Sequence, residues 1–271
     1  MTVIEANNHY HSLEILGSDA MQALQGQFTC DVIKQAPDTT IPGLLCSLKG
    51  RVEIISYVHK HSPEHFSVIV PRADMDALAA RLKPYLMFSR SKMAPSALST
   101  HALVMSDTPN PPDATPHKFH LSDQIGLIAD DTCAASISAS ATPSLLTSLR
   151  LRSGLLELND RTRARFTPQQ LSLDVLGYVS FTKGCYMGQE IIARIHYKGA
   201  PKTRLALLER RDHGDTPSNH SLIDIDGNIV GEILESNTEL SLATVSTELP
   251  VAALLEGDNG RWSLSRFFHQ Q

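Results

Sequence analysis

The hydrophobic pattern of the first hundred residues alternates between strand and helix periods. Short apolar runs with a period of two residues favour strands, and the runs between them repeat every three to four residues, as helices do. The predicted order is strand, helix, strand, strand, helix, strand, which is typical of a split βαβ unit and of an α+β fold. The best-defined elements are strands over 13–16, 52–59 and 65–70 and helices over 20–25 and 72–86.

The clearest amphipathic pattern in the chain covers residues 72–86. Leu78, Leu82 and Leu86 recur at helical spacing and predict one buried stripe. Pro84 lies inside the same pattern. Because proline removes a backbone donor and clashes with the preceding turn, we expect the helix to kink or end there.

After residue 200 the pattern changes to short β-like runs separated by turn residues. The runs cover 203–208, 229–234, 240–245 and 261–267, and together they predict a small C-terminal β-barrel. The stretches 106–117 and 133–143 are rich in Pro, Ser or Ala and are predicted to be loops. We therefore divide the chain into an N-terminal α+β part over 1–100, a second α+β part over 101–200, and a barrel over 201–271.

Composition fits a globular protein of the cytoplasm. The 271 residues are 42% hydrophobic and 20% charged, and no apolar run approaches the length of a membrane span. The four cysteines, at positions 30, 46, 133 and 185, include no closely spaced pair. Neither a disulfide framework nor a zinc ribbon is predicted, and free thiols fit a reducing compartment.

The net charge of −5 argues against a protein that grips nucleic acid over a broad surface. One basic cluster has two possible interpretations, a solvated face or a rim that binds a polyglutamate tail or RNA phosphate. It consists of Arg150, Arg152, Arg161, Arg163 and Arg165.

The sequence also contains three histidines at alternating positions. His59, His61 and His65 can place two imidazoles on one strand face. Carboxylates that would accompany them are not evident from the sequence. We therefore interpret these residues as exposed strand histidines and predict no metal site.

The strongest candidate for chemistry is Cys185, within residues 183–190. An apolar, strand-like run over 176–181 precedes it and a helix-like run follows. Gly184 and Gly188 allow a close backbone approach, while Lys183 and the amides of a helix start favour a thiolate. The alternative is a small buried apolar residue without reactivity. If the thiol is functional, Cys185 should react with iodoacetamide faster than the other cysteines.

The segment 183–190 resembles the signature of the YgfZ family, which reads Lys-Gly-Cys-Tyr-x-Gly-Gln-Glu. Every fixed position of the signature is matched. Further similar blocks occur in the family's order at 17–32, 43–51, 85–90 and 166–174. The YgfZ proteins are relatives of the aminomethyltransferase of glycine cleavage, or GcvT, so the resemblance implies a GcvT-like fold. That fold interleaves two ferredoxin-like split βαβ halves around a central folate cavity and adds a C-terminal β-barrel.

The resemblance also implies a function and a set of site residues. It implies a folate-binding accessory protein, with tetrahydrofolate or another reduced folate as cofactor, that supports iron–sulfur enzymes, including a radical enzyme that modifies tRNA. The expected partners are iron–sulfur client proteins, and we expect a monomer without strong nucleic-acid binding. Cys185 and Lys183 are the candidates for thiol chemistry. The residues expected to contact folate are Tyr186, Gly188, Gln189, Glu190, Arg194, Gln27, Lys49 and Arg51.

Two other function classes remain as alternatives. A folate-dependent aminomethyltransferase needs carboxylates that are missing here. The aligned positions carry Ile54 and Ile55, with Glu53 displaced by one residue, and Arg152 stands where the transferases carry a glutamate. Without these groups the reacting amine loses its electrostatic partner, so we expect no classical transferase. A tRNA-binding or scaffolding module is the second alternative, and the acidic net charge argues against it.

Overall fold

The computed structural model describes residues 2–3, 9–96, 100–104, 118–122, 125–129, 143–212, 220–257 and 260–269. The predicted loops at 106–117 and 133–142, and with them Cys133, lie outside these ranges. The helices are α1 Ala20–Gln25, α2 Met75–Leu86, α3 Pro143–Arg152 and α4 Gln189–Lys198. The strands are β1 Thr2–Val3, β2 Tyr10–Gly17, β3 Thr39–Cys46, β4 Val52–Ser62, β5 His65–Pro71, β6 Ser91–Pro95, β7 Thr100–Val104, β8 Lys118–Ser122, β9 Ile125–Ala129, β10 Thr203–Arg210, β11 Ser221–Ile223, β12 Ile229–Ser236, β13 Leu240–Ser246, β14 Leu254–Gly257 and β15 Gly260–Phe267.

The first sheet has five antiparallel strands in the order β3-β4-β5-β2-β6. Helices α1 and α2 cover one face, where Leu24 and the predicted stripe of Leu78, Leu82 and Leu86 are buried. The stripe is thus confirmed. The helix does not end at Pro84, which lies in the last turn of α2. Proline has no backbone N–H, so one intrahelical hydrogen bond is lost at Pro84. The loss is close to the C-terminal end of α2, where the last carbonyls have no intrahelical donor in any case.

Strand β3 was not predicted. Its sequence contains Pro42 and Gly43, which normally mark a loop. The strand lies at the edge of the sheet and pairs with β4 alone among the named strands, so Pro42 needs no partner on its other side. The result is a ferredoxin-like order with one additional edge strand.

The second sheet has the order β1-β7-β9-β8 and draws on distant parts of the chain. Strand β1 pairs with β7 through Thr2↔Val104 and Val3↔Leu103. The N-terminal strand therefore belongs to the sheet built mainly from residues after 100, and the two halves are interleaved as expected.

The segment between α3 and α4 has no helix or strand, yet it fills the centre of the molecule. Leu156, Leu171, Leu173, Tyr178 and Tyr186 are all buried there. The apolar run at 176–181 was predicted to be strand-like and is an irregular segment in which Tyr178 and Val179 are buried. Among the described elements no strand pairs with it. Instead Thr29 satisfies its backbone, since its hydroxyl donates to the carbonyl of Tyr178 and its carbonyl accepts from the amide of Ser180.

Strands β10 to β15 form a closed six-stranded barrel in the order β10-β13-β12-β11-β14-β15. Trp262, Leu264, Leu208 and Val245 are buried in its core. The predicted α+β fold with a C-terminal barrel is therefore confirmed. No helix within the described ranges is long and apolar enough to cross a membrane.

The barrel is joined to the rest of the protein by a buried ionic network. Arg150 of α3 is only 4% exposed and forms ion pairs with Glu157, at 3.1 Å, and with Glu235 of β12. Glu157 also accepts hydrogen bonds from Tyr10 at 3.0 Å and interacts with His9 at 2.8 Å. Burial alone would lower the pKa of Arg150, but the two carboxylates raise it above its ordinary value. The guanidinium is therefore charged under all ordinary conditions.

The other arginines of the basic cluster are also mostly engaged within the protein. Arg161 donates to the carbonyls of Ile233 and Leu234, and Arg163 pairs with the buried carboxylate of Asp74. Arg165 pairs with Glu232 at 3.0 Å. Arg150 is buried and so is not part of a solvated face, and the internal partners of Arg161, Arg163 and Arg165 do not favour a rim that binds an external anion. Four of its five guanidiniums hold the protein's own parts together.

We expect Arg150→Met to lower the free energy of unfolding by ~3–5 kcal/mol, because it leaves two buried carboxylates without their cation. Chemical denaturation followed by circular dichroism measures this loss. The matched control is Arg90→Met, which removes an exposed arginine paired with Asp19 at 2.8 Å and should change stability little. Equal effects of the two substitutions would contradict the structural role of Arg150.

Candidate functional site

The site is built where the start of α4 meets the turn between β3 and β4. Gly188 immediately precedes α4 with φ +81°, and Gly50 in the turn has φ +65°. A Cβ atom on Gly188 would lie 2.5 Å from the carbonyl oxygen of Ser47 and 3.1 Å from the Cα of Gly50. Gly188 therefore has the close backbone approach expected of it. Gly184 has open space where a Cβ would stand, so the expectation fails there.

Lys183 holds the segment before α4 against the end of α1 and the turn that follows it. Its ammonium group donates to the backbone carbonyls of Gln25, Phe28 and Cys30, with Nζ–O distances of 2.5–2.8 Å. These bonds use all three ammonium protons, which leaves none for Cys185. Burial lowers the pKa of Lys183 to about 8, so the ammonium form still predominates at pH 7. The lysine is thus a structural brace, and the effect expected of its charge on the Cys185 thiol stays a prediction.

Cys185 is exposed at the wall of an open groove of about 460 Å³. Leu48, which is 78% exposed, also lines this groove. Cys30 and Cys46 are buried, and burial raises the pKa of both thiols, that of Cys30 to about 12. Cys185 is therefore the accessible thiol among the three cysteines that the structure describes. The groove is lined by Gly26, Leu48, Cys185, Tyr186, Met187, Gly188, Gln189 and Glu190.

The groove includes only part of the predicted folate set. Tyr186, Gly188, Gln189 and Glu190 line it together with Cys185. The remaining four of the set lie elsewhere. Gln27 is bound by Arg81, Arg51 reaches the carbonyl of Arg165 and the side chain of Gln170, and Lys49 and Arg194 are exposed beyond the lining residues.

Arg81 of α2 was not selected as a candidate site residue by any pattern in the sequence. Its guanidinium binds Gln27 at 3.1 Å, Glu53 at 3.3 Å and the carbonyl of Cys46 at 3.3 Å. It also contacts the sulfur of Met187 at 2.7 Å. An arginine on the polar side of an amphipathic helix is ordinary in a sequence, and only the fold shows that it joins α2 to the wall of the groove.

The centre of the molecule contains a second, much smaller cavity of about 10 Å³. Tyr10, Tyr57 and Ile55 line it together with Asp74 and Glu157. Ile55, which was expected to align with the transferase carboxylate, is thus an apolar side chain that lines this cavity. Glu53 is paired with Arg81, and Arg152 is exposed.

Comparisons with known proteins identify similar sequences and a similar fold. No family model matches the chain. It is 30% identical over 222 residues to the tRNA-modifying protein YgfZ of Pectobacterium carotovorum, covering 72% of this chain and 66% of that protein. It is 28% identical over 205 residues to an uncharacterized protein of Haemophilus influenzae, covering 74% and 71%. The similar YgfZ protein of Escherichia coli O157:H7 shares 26% over 221 residues, covering 72% and 68%.

Among solved structures, the chain is similar to the glycine cleavage system aminomethyltransferase T from Bartonella henselae. The TM-score is 0.72 at 14% identity, and the match covers 96% of this chain and 83% of that one. At this identity the similarity establishes the fold, and it confirms the GcvT-like architecture expected from the sequence.

We expect Lys183→Met to lower the free energy of unfolding by ~2–4 kcal/mol. The substitution leaves three inward-facing carbonyls without a donor, and each buried unsatisfied group costs ~1–3 kcal/mol, partly offset by removing a buried charge. Denaturant titration measures the change. Lys49→Met, at an exposed position, is the control and should stay within ~0.5 kcal/mol of the wild type. A neutral effect of Lys183→Met would show that the ammonium is not the brace described.

Proposed function

The chain belongs to the YgfZ family, and we propose that it binds a reduced folate and, through the thiol of Cys185, supports iron–sulfur enzymes that modify tRNA. The observation that carries the proposal is the position of Cys185. It is exposed at a groove whose walls are fixed by the Lys183 brace and the contact between Gly50 and Gly188. A thiol held in this way is accessible to a large partner and keeps a constant orientation.

The groove suits a folate better than the central cavity does. Its volume of about 460 Å³ lies within the range of small-molecule sites, whereas about 10 Å³ holds no more than a water molecule. Gln189 and Glu190 would supply hydrogen-bond partners for the pterin amine and ring N–H, and Leu48 and Met187 an apolar wall. A bound reduced folate supplies a carrier for one-carbon groups. The groove is therefore our choice for the folate site.

The central cavity argues against the transferase alternative. The resemblance implies that a transferase has a carboxylate beside the reacting folate nitrogen at the position of Ile55, which lines the cavity here. The nearby carboxylates are already committed, since Glu157 pairs with Arg150 and Asp74 with Arg163. We therefore assign folate binding without aminomethyl transfer.

The chemistry available at Cys185 is that of an accessible thiol. As a thiolate it can attack a disulfide of a partner: the S–S bond breaks, one partner sulfur leaves as a thiolate, and the other forms a mixed disulfide with Cys185, which a second thiol then resolves. Attack on the outer sulfur of a partner's persulfide would instead leave a persulfide on Cys185 and release the partner's thiolate. Such exchange requires reduced cysteines, so the proposed place of action is the cytoplasm.

The first test measures folate binding together with protection of the thiol. Calorimetric titration with tetrahydrofolate should show one site, and Glu190→Ala should weaken it ~10-fold through loss of a hydrogen bond to a carboxylate. Iodoacetamide should label Cys185 at least ~100-fold faster than Cys30 or Cys46, and bound folate should slow that labelling. Glu209→Ala, in the barrel, is the control.

Two outcomes of this experiment contradict the proposal in different ways. Absence of binding at millimolar tetrahydrofolate removes the folate part. Binding without protection of Cys185 places the ligand outside the groove.

The second test addresses the role of the thiol in cells. In a strain lacking this protein, Cys185→Ser should fold normally yet fail to restore the activity of iron–sulfur enzymes that modify tRNA. Thr182→Ala, at the exposed position three residues earlier, should restore it fully. The assay is quantification of the modified nucleoside by mass spectrometry. Full complementation by Cys185→Ser would eliminate thiol chemistry at this site.

A further inference from the structure

A cluster of imidazole and carboxylate groups lies on the first sheet, on the face opposite α1 and α2. The possible ligand atoms of Glu14, His61 and His65 all lie within 4.8 Å of one another. Those of Asp38, His59 and His61 form a second set within the same limit, so the two sets share His61. The function proposed above uses none of these residues.

The strand register explains why these side chains meet. Glu14 of β2 lies opposite Ser67 of β5, and Ser67 lies opposite His59 of β4. His65 and Ser67 are two residues apart on β5 and therefore point to the same face, as do His59 and His61 on β4. The register of β4 and β5 shifts between Lys60 and Ser62, which is where His61 stands. Cross-strand neighbours of this kind have Cβ atoms about 5 Å apart.

Hydrogen bonds already orient the carboxylate and the rings. The Nε2 atom of His65 lies 2.8 Å from Glu14, and the Ser67 hydroxyl lies 3.0 and 2.9 Å from the two oxygens of the same carboxylate. The Nε2 atom of His61 lies 2.7 Å from that hydroxyl. The His61 and His65 rings are stacked with centroids 4.2 Å apart. Partners of this type fix the rotamers of metal ligands in known sites.

We propose that His61, His65 and Glu14 bind a divalent transition-metal ion of the zinc class. Two imidazoles and one carboxylate form a ligand set that zinc uses in proteins, with a fourth position left for water or a substrate. Imidazole nitrogens favour such an ion over magnesium or calcium, which prefer oxygen ligands. His65 is 36% exposed and Glu14 18%, so the ion has a route from solvent. His59 and Asp38 stand next to the site and offer further donors.

Binding requires only local movement. Ligands at ~2 Å from a tetrahedral ion lie ~3.3 Å from one another, and the donors here start within 4.8 Å. The 2.8 Å contact between His65 and Glu14 opens slightly, because both groups turn their lone pairs to the metal. The neutral His65 ring then carries its proton on Nδ1. Ser67 remains as the donor that orients Glu14.

The test is a metal titration of the full-length, untagged protein in which Cys185→Ser removes the accessible thiol. After treatment with a chelator and its removal, the protein should bind one equivalent of Zn²⁺ at pH 7.5. Co²⁺ in its place should show visible absorption bands of a four-coordinate site. His61→Gln and His65→Gln should each weaken Zn²⁺ binding more than ~100-fold, since even loss of an orienting partner costs ~10–100-fold.

The chain contains a closely matched control for these substitutions. His9 and Glu157 form another pair at 2.8 Å, with side chains 37% and 19% exposed, almost the same as the 36% and 18% of His65 and Glu14. His9→Gln should leave Zn²⁺ binding unchanged. Circular dichroism establishes that each variant is folded.

Three results would overturn the proposal. Absence of bound metal at millimolar Zn²⁺ in the protein with intact histidines would do so whatever the variants show. Unchanged binding in the folded His61→Gln and His65→Gln proteins would place the ion elsewhere. Equal weakening by His9→Gln would show that the ion has no preference for the cluster. In each case the cluster is a hydrogen-bond network only, and the folate and thiol proposal is unaffected.

Discussion

The ammonium group of Lys183 is the contact on which the geometry of the groove depends. The carbonyls of Gln25, Phe28 and Cys30 point into the protein, and Lys183 supplies each of them with a hydrogen bond from a residue more than 150 positions later. Thr29, in the middle of this turn, binds the same late segment through its hydroxyl and its carbonyl. Residues 25–30 and the late segment around Lys183 are thus fixed to each other. The next two residues, Gly184 and Cys185, are exposed, so the thiol lies at the surface.

The sequence predicted those features that are encoded locally. The leucine stripe of α2, the helix after Gly188 and four of the six barrel strands depend on residue spacing and turn residues, and these were found; the short strands β11 and β14 were not predicted. The fold class and the importance of the cysteine segment followed from the matching motifs. Strand β3 was missed because Pro42 and Gly43 are loop residues except at a sheet edge, and edges are not visible in a sequence.

Side-chain roles that depend on distant partners could not be predicted. Lys183 is close to Cys185 in sequence, but its hydrogen-bond acceptors lie in the turn after α1. The basic cluster looked available for an anion because its carboxylates, Glu232 and Glu235, lie in the barrel. The histidines at 61 and 65 lacked an evident acidic partner until the register of β2 placed Glu14 beside them. Strand β4 thus supplies Ile55 and Tyr57 to the central cavity and His59 and His61 to the polar cluster, all on one face.

The Arg150 network has a consequence for how the chain folds while it is being synthesised. Arg150 is separated from Glu235 by 85 residues, which a ribosome adds in roughly 4–17 s at ~5–20 residues per second. Until β12 has been synthesised, Glu235 is absent, and Glu157 is the one of these two carboxylates that can pair with the Arg150 guanidinium. Burying Arg150 before then would leave its charge only partly compensated. We therefore expect the segment between α3 and α4 to remain exposed to solvent in a nascent chain until the barrel has been synthesised. The barrel, which is made last, then completes the packing of this segment.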